Sequence, residues 1–154
     1  MLGHVPRAEC HADATLRHRS IHVVVECEGG LLLQRRGFAK DMAAGLWDSA
    51  CSGHVQPGES YLDAAVRELE EELGIRAEPE FLGTCHVAGV GEIELCGVHT
   101  LQHQGPFVLR PPELVGVCVF RRDELPAPLT PALVQVLEWL AGKRRGSNDG
   151  LAPG

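Results

Sequence analysis

Short apolar runs separated by turn residues predict a series of β-strands along most of the chain. Ile21 to Cys27 is a β-branched run, and a turn at 28–30 leads into a second apolar run at Leu31 to Leu33. These two runs predict a β-hairpin. Four further extended segments are expected, at 47–55, 80–88, 92–101 and 114–121.

Apolar residues at helical spacing predict two helices. The first spans Ser60 to Leu73, with Ser60 as a suitable N-cap and Gly74 suited to the left-handed position after the last turn. The second begins at Thr130-Pro131, an N-cap followed by proline at the first helical position, and is expected to end near residue 141. Residues 142–154 are polar and glycine-rich and are predicted to be a disordered tail.

These elements predict one α+β domain over residues 1–141, with a mixed central β-sheet flanked by helices. The 154 residues suit a single core and are too few for two ordinary ones. No apolar run has the length that spans a bilayer, and no secretory signal pattern is present. The six scattered cysteines lack a CxxC pair, so we expect reduced thiols in a cytoplasmic protein.

The chain has more acidic than basic residues, and several of the acids are concentrated in one predicted helix. Fourteen Lys and Arg stand against 21 Asp and Glu, a formal net charge of −7, which disfavours nucleic-acid polymers as partners. Glu68, Glu70, Glu71 and Glu72 crowd into the first predicted helix. Three of them, Glu68, Glu71 and Glu72, share helical spacing, and carboxylates that converge on one face suit Mg²⁺ or Mn²⁺. A solvated acidic face is the alternative.

A longer pattern surrounds these glutamates. It consists of Gly53, Glu59 after five residues, Arg67-Glu68-Leu69 after seven more, then Glu71-Glu72 and Gly74-Ile75 with one residue before each pair. This segment, 53–75, resembles the signature of the Nudix hydrolases at every constrained position. The order of strands and helices is similar to that family over about residues 5–141 as well, which implies the α/β/α Nudix fold.

The resemblance implies a MutT-like pyrophosphohydrolase that cleaves a diphosphate linkage in a small-molecule substrate. It implies that Glu68, Glu71, Glu72 and the Gly53 carbonyl hold Mg²⁺ or Mn²⁺. It also implies catalytic roles for Glu71 and Glu72, with Arg67 orienting a glutamate. Glu59 would support the acidic residues. The general base is open between Glu71, Glu72 and a later glutamate such as Glu94 or Glu113.

A second set of residues resembles a branch of the same superfamily, the type I isopentenyl-diphosphate isomerases. Those enzymes bind a metal through two histidines seven residues apart, a Gly-His step and a Glu-x-Glu pair. The corresponding residues here are His11, His18, His54, Glu92 and Glu94. This donor set would suit a second Mn²⁺, Zn²⁺ or Mg²⁺ ion. Arg36 and Lys40 match the positions where the isomerases bind the substrate diphosphate.

Three departures argue against isomerase chemistry. Ser52 stands where the isomerases have a cysteine, and the side chain of its neighbour Cys51 is expected to point to the opposite face of a strand. Glu68 replaces a diphosphate-binding arginine, and Tyr61 is not expected to supply the aromatic hydroxyl used beside the Glu pair. We therefore favour a metal-dependent hydrolase. The isomerase and a non-catalytic nucleotide-sensing module are the alternatives, with 37–45 and 102–113 as expected substrate selectors.

Overall fold

A computed structural model describes residues 17–37, 45–89, 92–109 and 114–149. Within these ranges the chain forms seven strands and two helices in the predicted order, and the α+β class is confirmed. The elements are β1 (Arg17–Cys27), β2 (Gly30–Arg36), β3 (Trp47–Ser49), β4 (Cys51–His54), α1 (Tyr61–Leu73), β5 (Glu80–Gly89), β6 (Glu92–Gln102), β7 (Leu114–Phe120) and α2 (Pro131–Asp149).

The strands form one mixed sheet around β1. The order is β3-β2-β1-β6-β5, with β4 paired to β1 and β7 paired to β2. β1 and β6 run parallel, which places His18 beside Glu94. β1 and β4 run antiparallel, which places Ser20 opposite His54. The central strand therefore brings together residues that are far apart in the sequence.

Alternation of side chains along β1 divides the core into two layers. Ile21 and Val23 are fully buried on one face and pack in a cluster with Leu69 of α1. Val24 faces the other way and packs in a second cluster with Leu133 of α2. The sheet is thus covered by one helix on each face, as the α/β/α prediction requires.

Both ends of α1 are capped as predicted. The Ser60 hydroxyl accepts the Asp63 N–H at 3.0 Å. Gly74 has a left-handed backbone with φ of 67°, and its N–H bonds to the Glu70 carbonyl at 3.1 Å. A Cβ at Gly74 would also lie 2.9 Å from the Val108 side chain, so only glycine fits. The caps fix the length of α1 and the directions of its acidic side chains.

The second helix is longer than predicted. It continues to Asp149, so the expected disorder is wrong for residues 142–149. Tertiary contacts hold this extension against the sheet: the Lys143 ammonium donates to the Leu82 carbonyl of β5, and Arg144 pairs with Glu26 of β1 at 3.4 Å. Both partners are distant along the chain, so the local sequence pattern does not reveal these contacts.

Two further observations concern possible membrane-spanning helices and the state of the cysteines. No helix in the described part of the chain combines the length and apolarity needed to cross a membrane. The cysteines in the described ranges are free thiols, and Cys51, Cys85 and Cys96 are buried, as expected for thiols that pack as small apolar side chains. Cys118 is exposed.

Candidate active site

The first candidate site, called the acidic cluster below, lies on α1 and the loop before it and comprises Glu59, Arg67, Glu68, Glu71 and Glu72. Arg67 is its centre. The guanidinium binds both carboxylate oxygens of Glu59, at 2.8 and 3.0 Å, in a bidentate pair. It also donates to Glu68 at 2.7 Å, to Glu71 at 3.4 Å and to the His54 carbonyl at 3.0 Å. One arginine therefore fixes three carboxylates and one strand end.

The electrostatics of this pair keep both partners charged. Hydrogen bonds from Arg67 lower the pKa of the Glu59 carboxyl, and they outweigh the opposing effect of partial burial. The same hydrogen bond to Glu59 is the main reason that the pKa of Arg67 is raised. The acidic cluster thus contains its own counter-charge.

The Glu68 carboxyl packs directly on Gly53 of β4. A Cβ built at Gly53 would lie 2.4 Å from the Glu68 carboxyl carbon and 2.4 Å from one of its oxygens. Any larger residue at this position would displace the carboxylate, which explains why the motif begins with glycine.

Glu72 and Glu71 occupy opposite environments although they are adjacent. Glu72 is buried, with 7% exposure, and accepts a hydrogen bond from the Gln34 amide of β2 at 3.3 Å. Burial and then the negative charge of Glu72 raise the pKa of the buried Cys51 thiol, so Glu72 lies close to it. The Glu71 side chain is 55% exposed. The three motif glutamates therefore line a path from the core to the surface rather than one uniform face.

The second candidate site, called the histidine cluster below, consists of His18, His54 and Glu94. Glu94 Oε1 lies 3.0 Å from His18 Nε2 and 3.6 Å from His54 Nε2, and the two imidazole nitrogens are 2.9 Å apart. Burial alone would raise the pKa of Glu94, but the close contacts with His18 and His54 outweigh it and hold the pKa far below its usual range. Among the residues described, only this set of three possible metal ligands has all its donor atoms within 4.8 Å of one another.

The remaining predicted ligands and cations can be placed only in part. His11, Lys40 and Glu113 lie outside the described residues. Glu92 is described only by its backbone, which opens β6 opposite Gly89. The structure therefore brings together three of the five predicted metal ligands and leaves the other two untested.

A single dipeptide joins the two clusters. Gly53 supports the Glu68 carboxyl, and the next residue, His54, contributes its side chain to the histidine cluster. The His54 carbonyl in turn accepts a hydrogen bond from Arg67. The two clusters therefore share one short strand end.

Arg36 is the last residue of β2. It is one of the two predicted diphosphate-binding residues, and the other, Lys40, lies outside the described residues. The Arg36 side chain is 20% exposed, and its Nη1 lies 3.4 Å from Asp48 Oδ2. Its backbone N–H bonds to the Leu46 carbonyl at 2.9 Å, and its carbonyl accepts the Gly45 N–H at 3.1 Å. Arg36 therefore stands where the chain between 37 and 45 leaves and rejoins the sheet.

Two buried polar residues of this region were missed by the sequence patterns. Gln34 is 2% exposed and donates a hydrogen bond to Glu72 of the motif. Asp48 is 3% exposed and contacts Arg36, the predicted phosphate-binding arginine. The available signal was weak: Gln34 directly follows the strand predicted at Leu31 to Leu33, and Asp48 lies inside the extended segment predicted at 47–55. Residues of this kind need a buried partner, and the sequence does not say which.

The structure also bears on the isomerase features. Cys51 is fully buried in the core cluster on the α1 side. Tyr61 does reach the strand of the Glu pair, because its hydroxyl donates to the Leu95 carbonyl at 3.3 Å. Its ring, however, packs on Gly97, on the face of the sheet that α1 covers. Glu94 lies two residues before Cys96, which packs on the α2 side, so Glu94 shares the opposite face. Tyr61 therefore lies in α1, as the sequence predicted, and its hydroxyl contacts the backbone of β6.

Comparisons with known proteins agree with the motif. A family model described as NUDIX domain matches residues 16–140. A Nudix hydrolase of Yersinia pestis is 39% identical over 81% of this chain and 72% of that protein. An isopentenyl-diphosphate Delta-isomerase of Serratia proteamaculans is 42% identical, but over 50% of this chain and 43% of that protein. The crystal structure of a MutT NUDIX hydrolase from Burkholderia pseudomallei superimposes with a TM-score of 0.71 and 27% identity, covering 80% of this chain and 97% of that one.

Proposed function

The chain belongs to the Nudix family, whose hydrolase members act on diphosphate bonds, and from this premise we propose that it cleaves the diphosphate linkage of a small molecule with the help of Mg²⁺ or Mn²⁺. A nucleoside diphosphate derivative is the substrate class we favour. The observation that carries the proposal is the intact acidic cluster, in which one arginine orders three carboxylates beside a glycine that nothing larger could replace.

The acidic cluster offers the donor chemistry that a hard divalent cation prefers. Glu68, Glu71 and Glu72 supply carboxylate oxygens, and the carbonyl of Gly53, which contacts Glu68, is the proposed fourth oxygen ligand. When bound, the ion neutralises phosphate charge and lowers the pKa of an attacking water. Mg²⁺ and Mn²⁺ prefer such oxygen donors over imidazole or thiolate.

Side chains of the protein act as general base, position the carboxylates and bind the diphosphate. Glu71 or Glu72 takes the proton from the attacking water, and the exposure of Glu71 gives it direct access to solvent. Arg67 holds Glu59 and Glu68 in place, so the carboxylates keep their positions despite mutual repulsion. Arg36, with Lys40, binds the substrate diphosphate at the loop after β2.

A second divalent cation is proposed at the histidine cluster. Bonds of about 2.0–2.1 Å in octahedral geometry put neighbouring ligand atoms about 2.9 Å apart. The two imidazole nitrogens are 2.9 Å apart and Glu94 Oε1 is 3.0 Å from His18 Nε2, which agree with this value, and the distance from Glu94 Oε1 to His54 Nε2 is 3.6 Å. Imidazole nitrogens favour Zn²⁺ and carboxylate oxygens favour Mn²⁺, so this mixed donor set suits either ion. His11 and Glu92 are the proposed additional ligands.

The histidine cluster also favours the second candidate function, an isopentenyl-diphosphate isomerase. Two findings weigh against it. Cys51 is fully buried and has no access to a substrate, and Glu68 occupies a position where the isomerase needs an arginine. We therefore keep the hydrolase as the conclusion.

One activity panel tests the proposal. Purified protein is incubated with nucleoside diphosphates, dinucleotides, sugar nucleotides and isopentenyl diphosphate, with Mg²⁺ or Mn²⁺ varied and with EDTA as the metal-free control. Metal-dependent release of phosphate-containing products from at least one compound is expected. Deuterium exchange into isopentenyl diphosphate without hydrolysis would instead support the isomerase, and tight binding without turnover would support the sensing module.

A further inference from the structure

We propose that Asp48 is a positioning residue that holds the Arg36 guanidinium in the orientation needed to bind the substrate diphosphate. The inference rests on the proposed function of Arg36 as a phosphate-binding residue. It does not depend on which group is attached to the diphosphate, because the interaction concerns only the phosphate oxygens.

One carboxylate oxygen of Asp48 is anchored by the fold. The side chain is 4% exposed, which is uncommon for an aspartate. Its Oδ1 accepts the Ser49 N–H at 2.8 Å and the Thr130 hydroxyl at 3.0 Å. Thr130 also caps α2 by accepting the Leu133 N–H at 3.1 Å. Because the donors come from β3 and from the start of α2, the carboxylate is held in one orientation.

The other oxygen faces Arg36. Asp48 Oδ2 lies 3.4 Å from Arg36 Nη1 and accepts the Ser52 hydroxyl at 3.4 Å. A buried carboxylate needs a counter-charge, and the arginine provides it. The Arg36 side chain as a whole is 20% exposed, so part of it reaches the surface. Its N–H donors point along more than one edge, so a guanidinium can contact a carboxylate and a phosphate at the same time.

Strand geometry places this pair beside the acidic cluster. Arg36 lies two residues after Gln34 on β2, just past a register irregularity against β7, so their Cα atoms are about 7 Å apart. Gln34 donates to Glu72 of the acidic cluster. Asp48 is the cross-strand partner of Gln34 on β3. A diphosphate bound beside Glu72 is therefore within reach of Arg36, and Asp48 is the residue that sets the direction of that arginine.

The test uses Asp48→Asn, which keeps an oxygen for Ser49 and Thr130 but removes the charge that faces Arg36. The probe is methylenediphosphonate with Mg²⁺, measured by calorimetry, because its P–C–P bridge cannot be hydrolysed. We expect the affinity to fall about tenfold, because an arginine that is no longer pre-oriented loses more conformational freedom on binding. For a substrate found in the activity panel, KM should rise by a similar factor while kcat changes less than about twofold.

Two further variants separate positioning from folding. Gln135→Ala removes the hydrogen bonds between α2 and Ala88 of β5, away from Asp48 and Arg36, so it should lower Tm but leave the affinity for methylenediphosphonate unchanged. Arg36→Lys keeps the charge but replaces the planar fork by a point charge, and it should weaken binding about tenfold. The double variant Asp48→Asn with Arg36→Lys should bind no more weakly than Arg36→Lys alone, because both changes remove one shared interaction.

The inference is overturned if Asp48→Asn lowers Tm and leaves the affinity unchanged, as Gln135→Ala should, or if the effects of Asp48→Asn and Arg36→Lys on affinity are additive. Should Asp48→Asn be too unstable to purify, Arg36→Lys decides, since unchanged affinity in that variant refutes the role assigned to the arginine. The wild-type protein failing to bind methylenediphosphonate would count against the inference as well. Binding that depends on Asp48 without hydrolysis of any compound would refute the proposed hydrolase alone.

Discussion

The acidic cluster and the histidine cluster meet at Gly53 and His54, but they are organised in opposite ways. In the acidic cluster, the carboxylates range from the buried Glu72 to the exposed Glu71 and are ordered by Arg67. In the histidine cluster, three donor atoms lie between 2.9 and 3.6 Å of one another. Carboxylates repel, so they need a cation of the protein's own between them, whereas an imidazole can approach a carboxylate closely.

This difference suggests a division of roles. A cation at the acidic cluster would be bound by oxygen atoms that reach solvent, and it could enter with the substrate. A cation at the histidine cluster would be enclosed by preformed nitrogen and oxygen donors, and it would exchange slowly. If this division is correct, hydrolysis depends on the acidic cluster, and the binding of a resident metal depends on the histidine cluster.

The largest effect is expected from Glu71→Gln or Glu72→Gln. Loss of a general base or a metal ligand should reduce kcat/KM by at least about 100-fold in the hydrolysis assay. His54→Gln should reduce it less, because His54 lies outside the acidic cluster. If the glutamine variants hydrolyse substrate as well as the parent protein, the catalytic assignment is wrong.

The next effect concerns metal affinity. His18→Ala removes one of three donors of the histidine cluster and should weaken Co²⁺ binding there by at least about 10–100-fold. Titration with Co²⁺, followed by visible absorption, measures this site because nitrogen ligands give it a distinct spectrum. Glu71→Gln is the matched control and should leave the titration unchanged. Equal losses in both variants would show that the two clusters are one site.

The third prediction concerns stability. Arg67→Met leaves the partly buried Glu59 and Glu68 without their cation and should lower the free energy of unfolding by about 2 kcal/mol at pH 7. The folded pKa of Glu59 is lowered, so its contribution is complete above the unfolded value of about 4.3 and is lost as pH falls through the folded value. Urea unfolding between pH 7 and pH 3 should therefore show a shallower acid-side loss in the variant.

The control for this measurement is Arg76→Met. Arg76 pairs with Glu70, but its side chain is 84% exposed, so the pair is screened by solvent. Its unfolding curve and pH dependence should match those of the parent protein. A loss as large as that of Arg67→Met would mean that the acidic helix is stabilised by charge balance in general, and not by the specific Arg67 contacts.

The smallest effect is expected from Glu70→Gln. Glu70 belongs to the same acidic run as the motif glutamates, yet it points outward to Arg76. Its replacement should change kcat/KM by less than about twofold and leave metal binding intact. A loss comparable to that of Glu71→Gln would indicate that total negative charge, and not individual ligands, supports the activity.

The sequence determined the elements and the motif, because their signals are local. Strand alternation, the Ser60 and Gly74 caps and the spacing from Gly53 to Ile75 each involve residues close along the chain. They were enough to predict the α/β/α fold and the family. The histidine cluster could be suggested only through resemblance, since His18 and Glu94 are 76 residues apart.

Only the tertiary structure decided how the site is assembled. Parallel pairing of β1 with β6 brings Glu94 to His18. On α1, Glu72 lies on the buried side of the helix and Glu71 on the exposed side, so Glu72 is the partner of Gln34. The extension of α2 likewise depends on contacts with distant strands. A buried polar side chain takes whatever partner the packed strands and helices bring to it, and that choice is not encoded in spacing along the chain.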